Sequence, residues 1–358
     1  MPNEAAIPIP RATYRLQVNA EFGFERAAAL ADYMARLGVS HLYASPYMKA
    51  RPGSTHGYDI IDHNALNPEL GDAAAYRRLV DALQANGLGQ ILDFVPNHMG
   101  VGGSDNAWWL HVLEWGPDSP FSGYFDIDWK TDRAYLHDKV LVPFLGDQYG
   151  VVLEAGSFAL RFDPDAGSFA VWAYDTHKLP ICPRHYAEIL GQWHPELERL
   201  GDAFASLHYD RPHEIRRAGE IKDELARLAG SDPGVREAVE AAVSGFAGRP
   251  GDLESWKRLD ALIRKQFWRA AYFRVAADDI NYRRFFNINE LAGLRMEEPE
   301  LFDVAHRLAL DLIDDGTLDG LRIDHIDGLL DPEGYCRRLR EKASKPFYLV
   351  VEKILARH

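Results

Sequence analysis

Gly320-Leu321-Arg322-Ile323-Asp324-His325-Ile326-Asp327 opens with an apolar run, Leu321 to Ile323, that ends in a carboxylate. A segment with helical spacing follows from Pro332 to Ala343, and a second apolar run, Phe347 to Val351, ends in another carboxylate, Glu352. This pattern predicts a strand, a helix and a strand with an acid at the same end of each strand. Parallel neighbours lie about 4.8 Å apart. Acids on adjacent strand ends can then face each other across about 5–5.5 Å, the spacing of a retaining glycosidase pair; an inverting pair needs more room. Arg322 stands two residues before Asp324 and shares its face of the strand, where a guanidinium favours the ionised carboxylate. Glu352 has no such certain partner in the sequence, although Lys353 and His325 are near, and it can keep its proton. One acid is thus expected as nucleophile and the other as proton donor. Taken singly, each carboxylate reads equally well as a cap for the next helix; Arg, Asp and Glu together on consecutive strand ends favour catalysis.

Working towards the amino terminus, the same grammar recurs. Ala12 to Val18 reads as a strand, Phe24 to Leu37 as a helix stopped by Gly38, and Val39 to Ala44 as a second strand. A polar loop is expected from Lys49 to Asn67, then a helix from Asp72 to Asn86 and a third strand from Gln90 to Val95. Such alternation fits a parallel α/β barrel or a doubly wound sheet. No glycine-rich phosphate loop follows the first strand, which weighs against nucleotide binding. The third strand carries Asp93, followed by Pro96-Asn97-His98. In a barrel Asp93 would share a mouth with Asp324 and Glu352; it would also tie down its own loop by hydrogen bonds.

After His98 the rhythm breaks. Short β-like runs at Val140 to Phe144, Phe158 to Phe162 and Phe169 to Ala173, with no clean helix before Leu179, suggest a β-rich inserted domain over 100–183. Helical spacing at Ile215 to Leu228, Val235 to Phe246 and Leu253 to Phe273 suggests a helical insert over 184–280. Barrel strands 1–3 would then occupy 1–99, and a barrel helix at Glu300 to Asp314 would lead into strands 4 and 5 over 281–358. Five strands leave an eight-stranded barrel short of three, with apolar edges open to water. The chain therefore reads as the amino-terminal part of a longer protein, inactive or poorly soluble without its missing carboxy-terminal part.

Composition sets outer limits. The 358 residues are 47% hydrophobic and 26% charged, enough for a large core. A formal charge of −14 argues against nucleic acid or an anionic membrane as partner and in favour of a neutral substrate. Only Cys182 and Cys336 occur, which points to a reducing compartment, read as the cytoplasm. Met1 to Pro10 has no signal-peptide character, and no segment reaches the roughly 20 apolar residues of a membrane span. No cofactor is implied. A rival metal cluster of His56, Asp324, His325 and Asp327 is weak, because consecutive strand residues face opposite ways; a non-catalytic binding role is a second rival.

Asp93-Phe94-Val95-Pro96-Asn97-His98, Gly320 to Asp324 and Val351-Glu352 resemble the first three signature regions of the α-amylase superfamily of glycoside hydrolases, and His56-Gly57-Tyr58-Asp59 resembles its sugar-stacking loop. Longer stretches resemble one glucosylmutase branch of it: Pro10-Arg11-Ala12-Thr13-Tyr14-Arg15-Leu16-Gln17, 45–71, 108–129, His177-Lys178-Leu179-Pro180 and 281–296. The resemblance implies a (β/α)8 TIM barrel of α-amylase type, present through about strand 5. It implies Asp324 as nucleophile, Glu352 as general acid/base and Arg322 as the partner of Asp324. Tyr58, Asp59, Asp93, Asn97 and His98 would line the sugar pocket, with His56 and His325 as further substrate contacts and no metal. The implied reaction converts the reducing-end α-1,4 bond of a maltooligosaccharide to an α,α-1,1 bond; plain α-glucan hydrolysis is the alternative. Two departures stand out. The superfamily's third acid, after the seventh strand, has no counterpart here, and Gly328-Leu329 replaces the Lys-His of typical amylases. Trp108, Trp109, Trp115 and Trp129 are candidates for walls that exclude water, or for ordinary core.

Overall fold

The computed structural model describes residues 7, 9–191, 193–208 and 212–355; most of the Met1–Pro10 stretch lies outside them. The chain divides into two compact units, Met1–Val101 with Arg284–His358, and Gly102–Arg283.

In the first unit five parallel strands lie side by side in chain order: β1 (Thr13–Leu16), β2 (His41–Ala44), β3 (Gly89–Phe94), β4 (Gly320–Ile323) and β5 (Tyr348–Val351). Sequential order is that of a barrel wall, whereas a doubly wound sheet reverses at its first strand. The helices are α1 (Phe24–Ala28), α2 (Ala31–Leu37), α3 (Ala73–Ala85), α4 (Pro299–Asp314) and α5 (Pro332–Lys342). Each long helix buries one stripe. In α3 this is Ala75, Tyr76, Leu79, Val80 and Leu83; in α4 it includes Leu301, Phe302, Ala305, Ala309 and Leu312. Each fully buried Leu or Phe stabilises by about 1.5–3 kcal/mol. Asp72 and Asp331 cap α3 and α5, accepting from the N–H groups of Ala75 at 2.7 Å and Gly334 at 2.9 Å, worth about 1 kcal/mol apiece. Leu92, Phe94, Leu321 and Ile323 in the middle strands are fully covered, while Val351 on β5 is 42% exposed.

Two expectations for this unit need correction. The stretch from Lys49 to Asn67, read as a loop, contains an irregular antiparallel hairpin of Met48–Ala50 and Ile60–Leu66. Its Gly- and Pro-rich tip hid two strands that are short or interrupted by polar residues. His98–Gly100 also forms a short strand, antiparallel to Leu291–Gly293. This pairing brings the segment from Arg284 to Arg295 beside the end of β3.

The second unit holds a three-stranded antiparallel sheet of Phe158–Asp163, Ser168–Ala173 and His177–Pro180. Val140–Leu145 pairs in parallel with Trp268–Tyr272, so the expected β-rich and helical inserts share one body. The helix expected from Leu253 to Phe273 stops at Arg264, and its apolar end is the strand Trp268–Tyr272. A helix at Ala107–Trp115 stands where none was expected, capped by Asn106 accepting from the Trp109 N–H at 3.0 Å. Trp109 and Trp115 are core of this unit, each 2% exposed, and Trp109 packs edge-on against Phe125 and Tyr282. Among the described residues no helix is long and apolar enough to cross a membrane.

Candidate active site

The carboxyl ends of β1 to β5 carry polar side chains on one common face. Register aligns Arg15 with Tyr43, and Arg322 with Asp93. The pairing continues one residue past β4 and β5: the Asp324 N–H donates to Phe94 O at 2.8 Å and the Glu352 N–H to Ile323 O at 2.9 Å. Asp324 and Glu352 are therefore set at the ends of neighbouring strands by backbone pairing, before any side-chain contact is considered.

Arg322 joins three carboxylates. Its Nη1 donates to Asp93 Oδ1 at 2.7 Å and to Asp324 Oδ1 at 2.8 Å, and its Nη2 lies 3.2 Å from Glu352 Oε1. One guanidinium thus holds both strand-end acids, Asp324 and Glu352. Asp93 is fully buried; its Oδ2 accepts from the Tyr58 hydroxyl at 2.6 Å and the Tyr43 hydroxyl at 2.8 Å. Arg15 Nη2 in turn donates to the Tyr58 hydroxyl at 3.2 Å. Burial, then the negative charge of Asp93, pushes Tyr43 up to about 12 and raises Tyr58 as well, so both phenols stay protonated and keep donating at working pH. Burial works against the Arg322 charge, but the charge and hydrogen bond of Asp93 outweigh it and raise its pKa.

Asp324 departs from the expectation. Arg322 holds it, yet burial, followed by the charge of Asp93, pushes its carboxyl up to about 6. Its Oδ2 is buried and has no hydrogen-bond partner among the described residues, and a buried carboxylate oxygen left unpaired is costly. Glu352 also departs: expected to lack a sure partner, it meets Arg322 and accepts at Oε2 from the His325 N–H at 2.9 Å. Both contacts suit an acceptor. His325 reaches this position in a left-handed backbone conformation, φ 49°, which non-glycine residues rarely adopt.

The remaining expected residues divide. The His98 ring is buried, lies 4.3 Å from the Phe285 ring, and has Nε2 3.2 Å from Tyr58 O, behind the Tyr58 loop. Asn97 is 1% exposed and its backbone carbonyl accepts from the Leu294 N–H at 2.8 Å. His56 and Asp59 belong to the loop and stand outside the Arg322 cluster: Asp59 accepts from the Ser54 hydroxyl, and His56 Nδ1 from the Tyr58 N–H at 3.1 Å. Gly328 explains one departure from the amylase pattern. A Cβ there would lie 2.3 Å from Asn97 Oδ1 and 2.5 Å from His325 Cδ2, so a lysine has no room in this arrangement. The rival metal cluster comes apart, with Asp324 on Arg322 and Asp327 on Lys353. Among the described residues no three His, Cys, Asp or Glu side chains are placed to hold a metal ion. Sequence reading missed Arg15 and Tyr43; polar residues at matching positions inside apolar strands were the available signal.

Residues 29–150 match the α-amylase catalytic domain family. A Mycobacterium tuberculosis protein assigned as a maltooligosyl trehalose synthase is 34% identical over 350 residues, covering 96% of this chain and 34% of that protein. The solved maltooligosyltrehalose synthase from Arthrobacter ramosus superposes with a TM-score of 0.67 at 32% identity, over 97% of this chain and 35% of the other. A further solved maltooligosyl trehalose synthase gives 0.69 at 31% identity, over 97% and 36%. The chain spans about a third of the length of these relatives. Matched by that catalytic-domain family and similar along nearly its whole length to maltooligosyl trehalose synthases, the chain belongs to the α-amylase superfamily.

Proposed function

We propose that this chain supplies the nucleophile and the acid/base of a retaining glucosylmutase that rearranges the reducing-end α-1,4 bond of a maltooligosaccharide into an α,α-1,1 bond. The observation that carries the reading is the Arg322 guanidinium shared by Asp93, Asp324 and Glu352, with Asp324 Oδ2 left unbonded. The similarity to maltooligosyl trehalose synthases favours transfer over hydrolysis.

In the first half-reaction Asp324 Oδ2 attacks the anomeric carbon while Glu352 gives its proton to the departing glycosidic oxygen, leaving a covalent glycosyl-enzyme and a free glucose. Attack requires the ionised carboxylate, so activity rises as pH passes about 6. Glu352 must loosen its hold on Arg322 and the His325 N–H as sugar enters. Asp93, fully buried and fixed by two phenols, holds Arg322 rigidly beside Asp324 and Glu352. In the second half-reaction the glucose presents its anomeric hydroxyl, Glu352 removes that proton, the new C–O bond forms and Asp324 departs. Transfer outruns hydrolysis only if the glucose is held in place and water kept out.

The test is the product spectrum from maltopentaose with the enzyme expressed from its complete reading frame. A non-reducing isomer of the substrate is expected to dominate. Glucose and maltotetraose as the main products would instead make the protein an α-glucan hydrolase, and binding without turnover would leave it a glucan-binding protein.

A further inference from the structure

The parallel ladder between β4 and β5 advances by two residues at each donor. The Tyr348 N–H donates to Asp319 O at 2.8 Å and the Glu352 N–H to Ile323 O at 2.9 Å. In this register the next donor is the Ile354 N–H, and the next acceptor would be His325 O. That acceptor has left the ladder. His325 turns into a left-handed conformation, φ 49°, and its carbonyl accepts from the Gly328 N–H at 3.0 Å. The turn frees the His325 N–H for Glu352 Oε2. It also takes the backbone partner away from the chain just past Glu352, where an unpaired strand end frays.

Asp327 supplies the missing acceptor. Its Oδ2 accepts from the Ile354 N–H at 2.9 Å, and its Oδ1 pairs with the Lys353 ammonium. The Lys353 hydrogen bond, then that of the Ile354 N–H, holds the Asp327 carboxyl below the ordinary aspartate range, so it stays ionised. Its neighbour Ile326 is 3% exposed, which fastens the turn Ile326–Gly328 to the core. Glu352 is thus pinned on both sides, by Ile323 O at its own N–H and by Asp327 two residues on. We propose that Asp327 is the positioning residue of the acid/base: by completing the ladder past Glu352 and engaging Lys353, it fixes where the Glu352 carboxyl meets the departing oxygen. This rests on the assignment of Glu352 as acid/base above. A carboxyl that protonates one oxygen in the transition state tolerates little displacement, and an error of about 1 Å costs about 100-fold. Without Asp327 the Ile354 N–H turns to water, Lys353 is released beside Glu352, and the carboxyl loses its fixed approach.

The experiment compares kcat and KM of the wild type, Asp327→Ala, Asp327→Asn and, as a reference, Glu352→Gln, each expressed from the complete reading frame. The substrates are maltopentaose, with all products counted, and α-maltosyl fluoride, whose fluoride leaves with little help from an acid. Fluoride is measured in the first turnover, so that the second half-reaction does not limit. Asp327→Ala is expected to lose roughly 10–100-fold in kcat on maltopentaose with KM within about twofold, while fluoride release falls less than about threefold. Asp327→Asn keeps an acceptor for the Ile354 N–H and loses only the charge pair with Lys353, so it falls between Ala and the wild type. It also carries the comparison if the Ala variant does not fold. An unchanged kcat on maltopentaose in a folded Ala variant overturns the proposal. So do equal losses on the two substrates, which mark Asp327 as a residue that only holds the fold. Failure of the underlying assignment is visible separately, because Glu352→Gln would then lose no more on maltopentaose than on the fluoride.

Discussion

Neutralising Asp93 provides the sharpest probe of the electrostatics at the strand ends. Asp93 and Asp324 sit on either side of Arg322 Nη1, at 2.7 and 2.8 Å. Their nearest oxygens are then about 5 Å apart, and at an effective dielectric constant of about 20 two such charges repel by about 3 kcal/mol, or about 2 pKa units. Arg322 cancels part of this, so Asp93→Asn is expected to lower the Asp324 pKa by about one unit, from about 6 to about 5. The nucleophile must be ionised, and the acidic limb of kcat/KM should follow it. The assay is formation of the non-reducing isomer from maltopentaose between pH 4 and 8 at constant ionic strength. Asp93 also holds Tyr43 and Tyr58, so the plateau rate will fall; the position of the limb does not depend on its height. A limb that stays at about 6 or moves upward in the variant refutes the reasoning.

Three further outcomes follow from the same geometry. Asp324 has a raised folded-state pKa, so its contribution to stability is present below the ordinary value of 3.8 and is lost as pH rises through about 6; the loss is about 3 kcal/mol at about 1.4 kcal/mol per unit. Asp324→Asn should therefore raise Tm at pH 7.5 and leave it unchanged near pH 4, and equal Tm values at pH 7.5 would count against a buried, ionised Asp324. Gly328→Ala drives a Cβ to 2.3 Å from Asn97 Oδ1; a cost of about 1–3 kcal/mol in stability is expected from such overpacking, read as a lower Tm and lower kcat/KM. Tyr58→Phe removes one of two hydroxyl donors to Asp93, and a bond to a charged group is worth about 1.5–3 kcal/mol, so kcat/KM should drop by roughly tenfold or more, with Tyr58→Ala no milder.

The parallel wall was legible in the sequence because each of its strands is a short apolar run next to a periodic helix, and α3 and α4 keep their stripe almost without interruption. Arg322 and Asp324 were legible as partners because a strand repeats every two residues. The electrostatic ranking was not. Parity places Arg322 beside Asp324, but only the depth of burial and the approach of Asp93 from β3 determine that the carboxyl ends up raised. Arg15 and Tyr43 were missed for a related reason: register between strands far apart in sequence brings them to Asp93 and Tyr58. The helix Ala107–Trp115 is apolar on most sides, so it has no stripe to detect, and Trp268–Tyr272 follows the amphipathic helix Leu253–Arg264 with no Gly or Pro between them to mark the break. Glu352 had no certain partner in the sequence because its partners are Arg322, brought to it by pairing between neighbouring strands, and the backbone N–H of His325, and backbone donors carry no mark in a sequence.

A retaining mechanism requires a covalent bond between the sugar and Asp324. Incubating the enzyme from the complete reading frame with a fluorinated glucosyl substrate that slows the second half-reaction, then mapping the labelled peptide by mass spectrometry, tests it directly. A single glycosyl adduct on Asp324, absent from Asp324→Asn, is the predicted result. An adduct on Glu352 or Asp93, or full turnover by Asp324→Asn, would contradict the account.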